Sequence, residues 1–389
     1  MLIITVIILW GYAILAGLSS SVIRAVSMFS FVAYALYLNR PTNTFNILAL
    51  SMFFILLIYR PTLLFQAGFQ LSYAAVFSIF WLFPKLQYFW KPENLFLKKF
   101  WQLASVSLAA QIGVLPLSLF YFHQFPGLFF ISNLIIIPFL GLILGTGFLV
   151  IVLVLMNMLP AALVEIYNKL INQMNQLIAW VAQQESFIFK DITFDSVQLV
   201  LSYLLIISVV HSLTEKKFKN IAAVALCIIA FQLWLISTTI IKNRQQKIII
   251  LHKTGTSALL YQKGISLEVN SSDSVSVASL IQSFRIEEKI EKVNYRRLKN
   301  SYRIKDHHLL ILNKPGMIFH KLPKTDFVLL SNSPKVNFNR FLDSVKPKTI
   351  IADGSNYRSD IERWQKSCSN RKLPFHYTGE KGAFILEIE

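Results

Sequence analysis

RPTLLFQAGFQLSYAAVFSIFWLF, residues 60–83, and SLAAQIGVLPLSLFYFHQFPGLFFISNLIIIPFLGLIL, residues 107–144, decide the fold. Both are apolar and long enough to span a bilayer, which takes a helix of about 20 residues. Yet Gln66, Gln70, Gln111 and Asn133 sit inside them. Polar groups at that depth are costly and face a bundle interior or a water-filled path. Pro116 and Pro138 interrupt the helical ladder where neighbours or water must satisfy the freed carbonyls. A plain anchor has no use for either feature. The pattern predicts a polytopic α-helical membrane protein with an internal pathway.

The rest of the chain fits that frame. Of 389 residues 54% are hydrophobic and 32 are Phe, too apolar for a soluble protein of this size. Cys227 falls in an apolar run and Cys368 near the C-terminus, which argues against a disulfide framework or a cysteine metal site. The start, MLIITVIILWGYAILAGLS, lacks a basic leader and reads as a retained span. Apolar segments fall at about 1–17, 20–38, 44–60, 63–83, 100–122, 129–158, 196–211 and 218–241. The 129–158 segment carries Asn133, Pro138, Gly141, Gly145 and Gly147, and is expected to be broken or re-entrant.

AALVEIYNKLINQMNQLIAWVAQ, residues 161–183, repeats its apolar side chains at spacings of three and four. That predicts an amphipathic helix, lying on or within the membrane or packed in the bundle. Basic clusters at Lys85, Lys91, Lys98 and Lys99 and at Lys216, Lys217 and Lys219 bear on orientation. Eight simple crossings put them on opposite sides, which the positive-inside rule disfavours. One extra crossing between Phe100 and His211 puts both in the cytoplasm and the tail outside.

From Lys242 the composition changes to that of a soluble domain. Strand-like runs such as KIIILHKTG and PKTIIADGSN alternate with helix-like runs such as FNRFLDSV, predicting a layered α/β domain over 242–389. The basic excess is +6 up to Ile241 and +12 beyond it, so an anionic partner, nucleic acid or lipid headgroup, is expected. Neither half presents a dense basic run that reads as a nucleic-acid motif.

Several side chains are candidates for the pathway. Arg24, five residues into its span, either faces a partner or water or snorkels to the interface. In GFQLS, Gly68 permits close helix approach, while Gln70 and Ser72 can hydrogen-bond between helices or line a path. Gln111, Gly113, Pro116, Asn133 and Pro138 would give helix breaks of the kind transporters use, or simple kinks. His123 reads as an interfacial loop residue.

SSSVIRAVSM (19–28), RPTLLFQAGFQLSYAAV (60–76) and SLAAQIGVLPLSLFYFHQFPGLFFISNLIIIPF (107–139) resemble, in order and spacing, the competence domain of ComEC-type DNA-uptake channels. The resemblance implies an inner-membrane channel passing single-stranded DNA into the cytoplasm during natural transformation, with the C-terminal domain outside. It implies as partners the lipid bilayer and other competence proteins: a DNA receptor, a nuclease, a cytoplasmic helicase or motor, and further copies in an oligomer. It also favours a channel or packing role for Arg24. That family carries further spans and a small β-barrel-like domain before the first matched motif. The chain is therefore expected to be a fragment or a shortened relative that needs a partner.

ILHKTGTSALLYQKGISLEVN (250–270), and DFVLLSNSPKVNFNRFLDSVKPKTIIADGSN with HYTGEKGAFIL, resemble the opening and closing parts of a metallo-β-lactamase-like domain. Where that family has a histidine-and-aspartate motif this chain reads SSDSVSVASL, and where it has paired histidines it reads Ser331, Asn332, Ser333, Pro334. A zinc hydrolase needs about three protein ligands per metal. His252, His307, His308, His320 and His376 lack the HxHxD spacing, so a degenerate domain without catalysis, metal or cofactor is expected. The chain has no P-loop, HExxH or GxSxG, so driving force must come from elsewhere. A small-solute secondary transporter, for an organic anion, is the rival reading, although the sequence shows no internal repeat.

Overall fold

The computed structural model describes residues 2–38, 43–273, 275–305, 307–313 and 325–388. His320 lies outside them. The chain divides into two compact units, Met1–Phe231 and Gln232–Glu389.

The first unit is helical: α1 (Leu2–Leu15), α2 (Ser20–Tyr37), α3 (Thr44–Phe54), α4 (Ala67–Phe89), α5 (Leu95–Phe122), α6 (Phe129–Leu155), α7 (Ala161–Gln183) and α8 (Ser196–Thr214). Helix α9 (Phe218–Arg244) runs on into the second unit. Five of these, α4, α5, α6, α8 and α9, are long and apolar enough to cross a membrane. Helices form because lipid offers the backbone no partner, so each N–H must bond within its own segment. Some starts are capped: Asn94 accepts from the Phe96 N–H at 2.8 Å, and Asp195 and Gln198 form a reciprocal capping box. Most side chains of α6 and α9 stay exposed, as lipid-facing helices should.

The expected break in 129–158 is absent: α6 is continuous through Pro138, which is exposed and removes only its own donor. Helix α5 likewise runs through Pro116. The real discontinuity lies between α3 and α4. There the chain passes through a π-turn at Ile55–Tyr59, an extended Arg60 and a 3₁₀ turn at Pro61–Phe65. Pro61 holds the residue before it out of the helical region. The break is packed, with Ile55 and Leu63 buried against Ile23, Leu48, Phe69 and Tyr73.

Two short strands, β1 (Phe125–Pro126) and β2 (Ile188–Phe189), pair antiparallel and tie the α5–α6 link to the link before α8. Helices α6 and α7 therefore leave from and return to one end. None of α7 is buried, and its Tyr167 hydroxyl lies 2.8 Å from where a Cβ on Gly147 would stand.

The second unit contains, in chain order, β3 (Gln246–Ile250), β4 (Ala258–Lys263), β5 (Ser266–Ser271), α10 (Ala278–Glu287), β6 (Lys292–Arg297), β7 (Ser301–Ile304), β8 (His307–Leu312) and β9 (Phe327–Leu330). It continues with α11 (Phe338–Val345), β10 (Thr349–Ala352), α12 (Arg358–Asn370), β11 (Phe375–Tyr377), α13 (Thr378–Lys381) and β12 (Phe384–Glu387). The strands make two sheets, ordered β12-β3-β4-β5-β6 and β11-β10-β9-β8-β7. Period-two alternation assigns side chains to opposite faces. Ile248, Ile250, Leu309, Ile311, Leu329 and Ile351 pack between the sheets. Leu310, Leu312 and Leu330 turn the other way, onto Phe341 of α11 and Trp364 of α12. Leu260, Leu267 and Val269 meet Ile281 of α10. The layers thus run helix, sheet, sheet, helix, and each buried Leu or Ile contributes about 2 kcal/mol. At the β4–β5 hairpin Gly264 has φ +58°, and a Cβ there would lie 2.8 Å from the Asn243 carbonyl, so the turn needs glycine.

Candidate channel site in the membrane unit

A cavity of about 350 Å³ lies between α2, α3 and α4, with Arg24, Thr44, Leu48, Ser72 and Phe80 among its walls. Arg24 is 8% exposed, the one buried charged side chain among the described residues of this unit. The guanidinium is thus packed among the helices. Tyr73, next to Ser72, stands within electrostatic reach of the guanidinium and shares a 3.2 Å hydrogen bond with the Ser51 hydroxyl of α3. Ser27, one turn beyond Arg24 on the same face of α2, is buried and its hydroxyl finds no partner among the described residues. A fixed positive charge, hydroxyls and open volume can hold an anionic group inside an otherwise apolar bundle.

The remaining predicted residues separate into distinct roles. Gln70 is cross-linked on both sides of its amide: its nitrogen donates to the Leu64 carbonyl at 2.8 Å, and its oxygen accepts from the Tyr121 hydroxyl of α5 at 2.9 Å. It binds helices together and does not line the cavity. Gly68 does not mediate a close approach, because a Cβ there meets nothing within 4 Å. That role belongs to Gly113, where a Cβ would lie 2.3 Å from the Ser78 Cβ and 2.7 Å from the Ala74 carbonyl oxygen. Helices α4 and α5 touch backbone to backbone at this point, as small residues allow in membranes.

Pro116 is buried in α5, and the Tyr203 hydroxyl of α8 donates to the Gly113 carbonyl at 2.8 Å, one turn before the proline. A neighbouring helix thus supplies a donor beside the Ile112 carbonyl, the one that Pro116 deprives of its partner. Asn133 donates to the Ser107 hydroxyl at 3.0 Å, fastening α6 to α5. Gln111 is half-buried, with no side-chain hydrogen bond among the described residues, and Pro138 is exposed. The structure therefore brings Arg24 and Ser72 to one cavity, sets Gln70, Gly113, Pro116 and Asn133 on the α4–α5 spine, and leaves Gly68, Gln111 and Pro138 apart. Sequence reasoning missed Ser51, Tyr73, Tyr121 and Tyr203. The signal was present, since each is a hydroxyl within an apolar run.

His123 ends α5 at φ +54° and its ring bonds the Ile192 carbonyl at 3.2 Å, in the linked loops.

In the second unit the two segments expected to hold metal ligands are joined by hydroxyls and amides. Asp353, fully buried, accepts from the Ser257 and Ser355 hydroxyls, the Ser355 N–H at 3.0 Å and the Asn356 amide at 3.1 Å. The Ser355 hydroxyl reaches Ser331 at 3.4 Å, while Ser271 bonds the Ser257 carbonyl at 3.2 Å. Asn332 and Ser333 take φ of +56° and +47°, and their N–H groups are held by Ser355 and Asn356 at 2.8 Å each. Serine and asparagine are not zinc ligands of the usual kind. Among the described residues no group of three His, Cys, Asp or Glu could hold a metal ion. Burial pushes the Asp353 carboxyl above the usual carboxylate range, and the two hydroxyls pull it back.

Comparison with known proteins matches this architecture. A family model described as "Competence protein" fits residues 1–216, and one described as "ComEC C-terminal domain" fits residues 248–388. ComE operon protein 3 of Bacillus subtilis (strain 168) is 31% identical over 178 residues, covering 45% of this chain and 22% of that protein. The match thus spans about a fifth of that relative's length. No solved structure matches. With more than half of its residues fitted by the first model and most of its second unit by the other, the chain belongs to the competence protein family.

Proposed function

We propose that the chain is a component of an inner-membrane channel that passes one strand of DNA into the cytoplasm during natural transformation. The observation that carries this reading is Arg24, buried beside Ser72 on a cavity between three helices of a competence-family membrane domain. A fixed cation and hydroxyls lower the barrier that an apolar bundle presents to a phosphodiester chain. The organic-anion transporter has no support from the family matches. Having no motif that spends nucleotide energy, the chain would take its driving force from partners: a DNA receptor and nuclease outside, a helicase or motor inside.

The α6–α7 pair supports one orientation over the other. With α7 and the shorter α1, α2 and α3 all counted as crossings beside the five long apolar helices, both lysine-rich links, before α5 and before α9, fall on the same side. Lys85 over the Trp81 ring at 4.8 Å and Lys91 over the Tyr88 ring at 4.6 Å give the first link the aromatic and basic character of a membrane interface. Under the positive-inside rule both links would lie in the cytoplasm and the second unit outside. That unit is read as non-catalytic, its Asp353 network being a structural replacement for a metal centre.

A photo-crosslinking side chain at Ser72, or at Met28 on the same cavity, tests the path in cells taking up labelled DNA. Covalent capture is expected at either position and not at Ile151, an exposed residue of α6. Equal capture at all three positions, or none at the cavity while transformation proceeds, would overturn the assignment.

A further inference from the structure

The run KVNYRRLKNSYRIK, residues 292–305, is the most basic stretch of the second unit, although it does not read as a nucleic-acid motif in sequence. It holds Lys292, Arg296, Arg297, Lys299, Arg303 and Lys305 and no acidic residue. Its charge is easily overlooked in sequence, because apolar and aromatic residues divide it. The structure divides the run between two strands joined by a short link. β6 is the outer strand of the first sheet and β7 the outer strand of the second, so both are edges. Only Leu298, Lys299 and Asn300 separate them. Leu298 and Tyr302 pin the connection by packing between the sheets, and the Tyr302 hydroxyl accepts from the Lys299 N–H at 2.8 Å. All six basic side chains are exposed. Arg296 reaches Glu268 at 3.5 Å, whereas Arg297, Lys299 and Arg303 make no ion pair among the described residues. Tyr295 is 53% exposed and shares its face of β6 with Arg297.

We propose that this pair of edge strands is a docking ledge for single-stranded DNA, gripping its phosphates through the cations and stacking a base on Tyr295. The proposal rests on the DNA-channel reading and names the surface by which the second unit serves it. Exposed cations bind a phosphate backbone without regard to sequence, and an accessible aromatic ring accepts any base. Such a ledge suits a strand that must be held whatever its sequence. Edge strands also carry cations merely to discourage pairing with other edges. That alternative requires neither the tyrosine nor affinity for DNA.

The test uses the full chain in nanodiscs of zwitterionic lipid, with a labelled oligothymidylate as probe and anisotropy as readout. The triple variant Arg297→Glu, Lys299→Glu and Arg303→Glu is expected to bind at least about tenfold more weakly. At roughly 0.7 log units per phosphate contact per decade of salt, its salt dependence should flatten by about 2. Tyr295→Ala, an exposed change that spares the fold, should weaken binding with the salt slope unchanged. Thermal melting alongside the wild type confirms folding of both variants. The proposal is overturned if the wild type does not bind the oligonucleotide, or if both folded variants bind it as well as wild type does. It is also overturned if the triple variant loses only affinity for anionic vesicles. None of these results touches the channel reading, which fails separately if cells lacking the chain still transform.

Discussion

Replacement Gly113→Leu is expected to prevent the membrane unit from accumulating in folded form, whereas Gly68→Leu is tolerated. At position 113 even a Cβ would overlap Ser78, and the Ala74 carbonyl at 2.7 Å is backbone that cannot rotate aside. Helix α4 would have to move off α5, carrying with it the Gln70–Tyr121 bond and the Tyr203 contact to the Gly113 carbonyl. Overpacking of this kind costs about 3 kcal/mol or more. At position 68 there is open space. Membrane abundance and melting in detergent measure the difference. A Gly113→Leu protein as abundant and as stable as wild type would show that α4 and α5 do not meet as described.

The second large effect concerns Asp353. Asp353→Ala leaves the Ser257 and Ser355 hydroxyls and the Asn356 amide without their acceptor in a buried site, and is expected to destabilise the second unit by about 3 kcal/mol. Asp353→Asn keeps the shape and removes the titration. The wild-type carboxyl is held above its unfolded value, chiefly by burial. Its contribution is therefore complete below about pH 4, where the unfolded group titrates, and is lost as pH rises through the folded value. The stability of wild type relative to Asp353→Asn is expected to fall with rising pH. Asp326 and Asp343, whose carboxyls are lowered by hydrogen bonds from Lys348 and Arg371, act in the opposite sense, but they are common to both proteins and cancel. Limited proteolysis of the full chain across pH reads the difference. An advantage that grows with pH would contradict the buried placement of Asp353.

Much of this architecture was legible in the sequence because its signals are local. Apolar runs near span length mark the helices, and the three-and-four spacing of 161–183 marks α7. Strand-then-turn units such as PKTIIADGSN became β10 and its following loop, with Asp353 at the join. What the sequence did not reveal depends on contacts between distant segments. Gly68 and Gly113 look alike in sequence, and only the packing of α4 on α5 decides which one meets a backbone. Pro138 looks like a break, yet lipid offers its neighbours no competing partner, so the ladder of α6 continues around it. The break belongs to Arg60–Pro61, where an extended residue precedes a 3₁₀ turn. The two sheets were equally hidden: β12 returns to pair with β3, and β6 and β7, adjacent in the chain, part into different sheets. The six cations of 292–305 are local to one run, and the apolar and aromatic residues between them kept it from reading as a motif.

The proposed passage of DNA across the membrane by way of this protein is measured most directly by transformation of an in-frame deletion strain. The strain should keep wild-type binding of labelled DNA at the cell surface, lose DNA entry into the cytoplasm and yield no transformants, with entry and transformants both restored by a plasmid copy of the gene. Transformation at the wild-type frequency in the deletion would contradict the account.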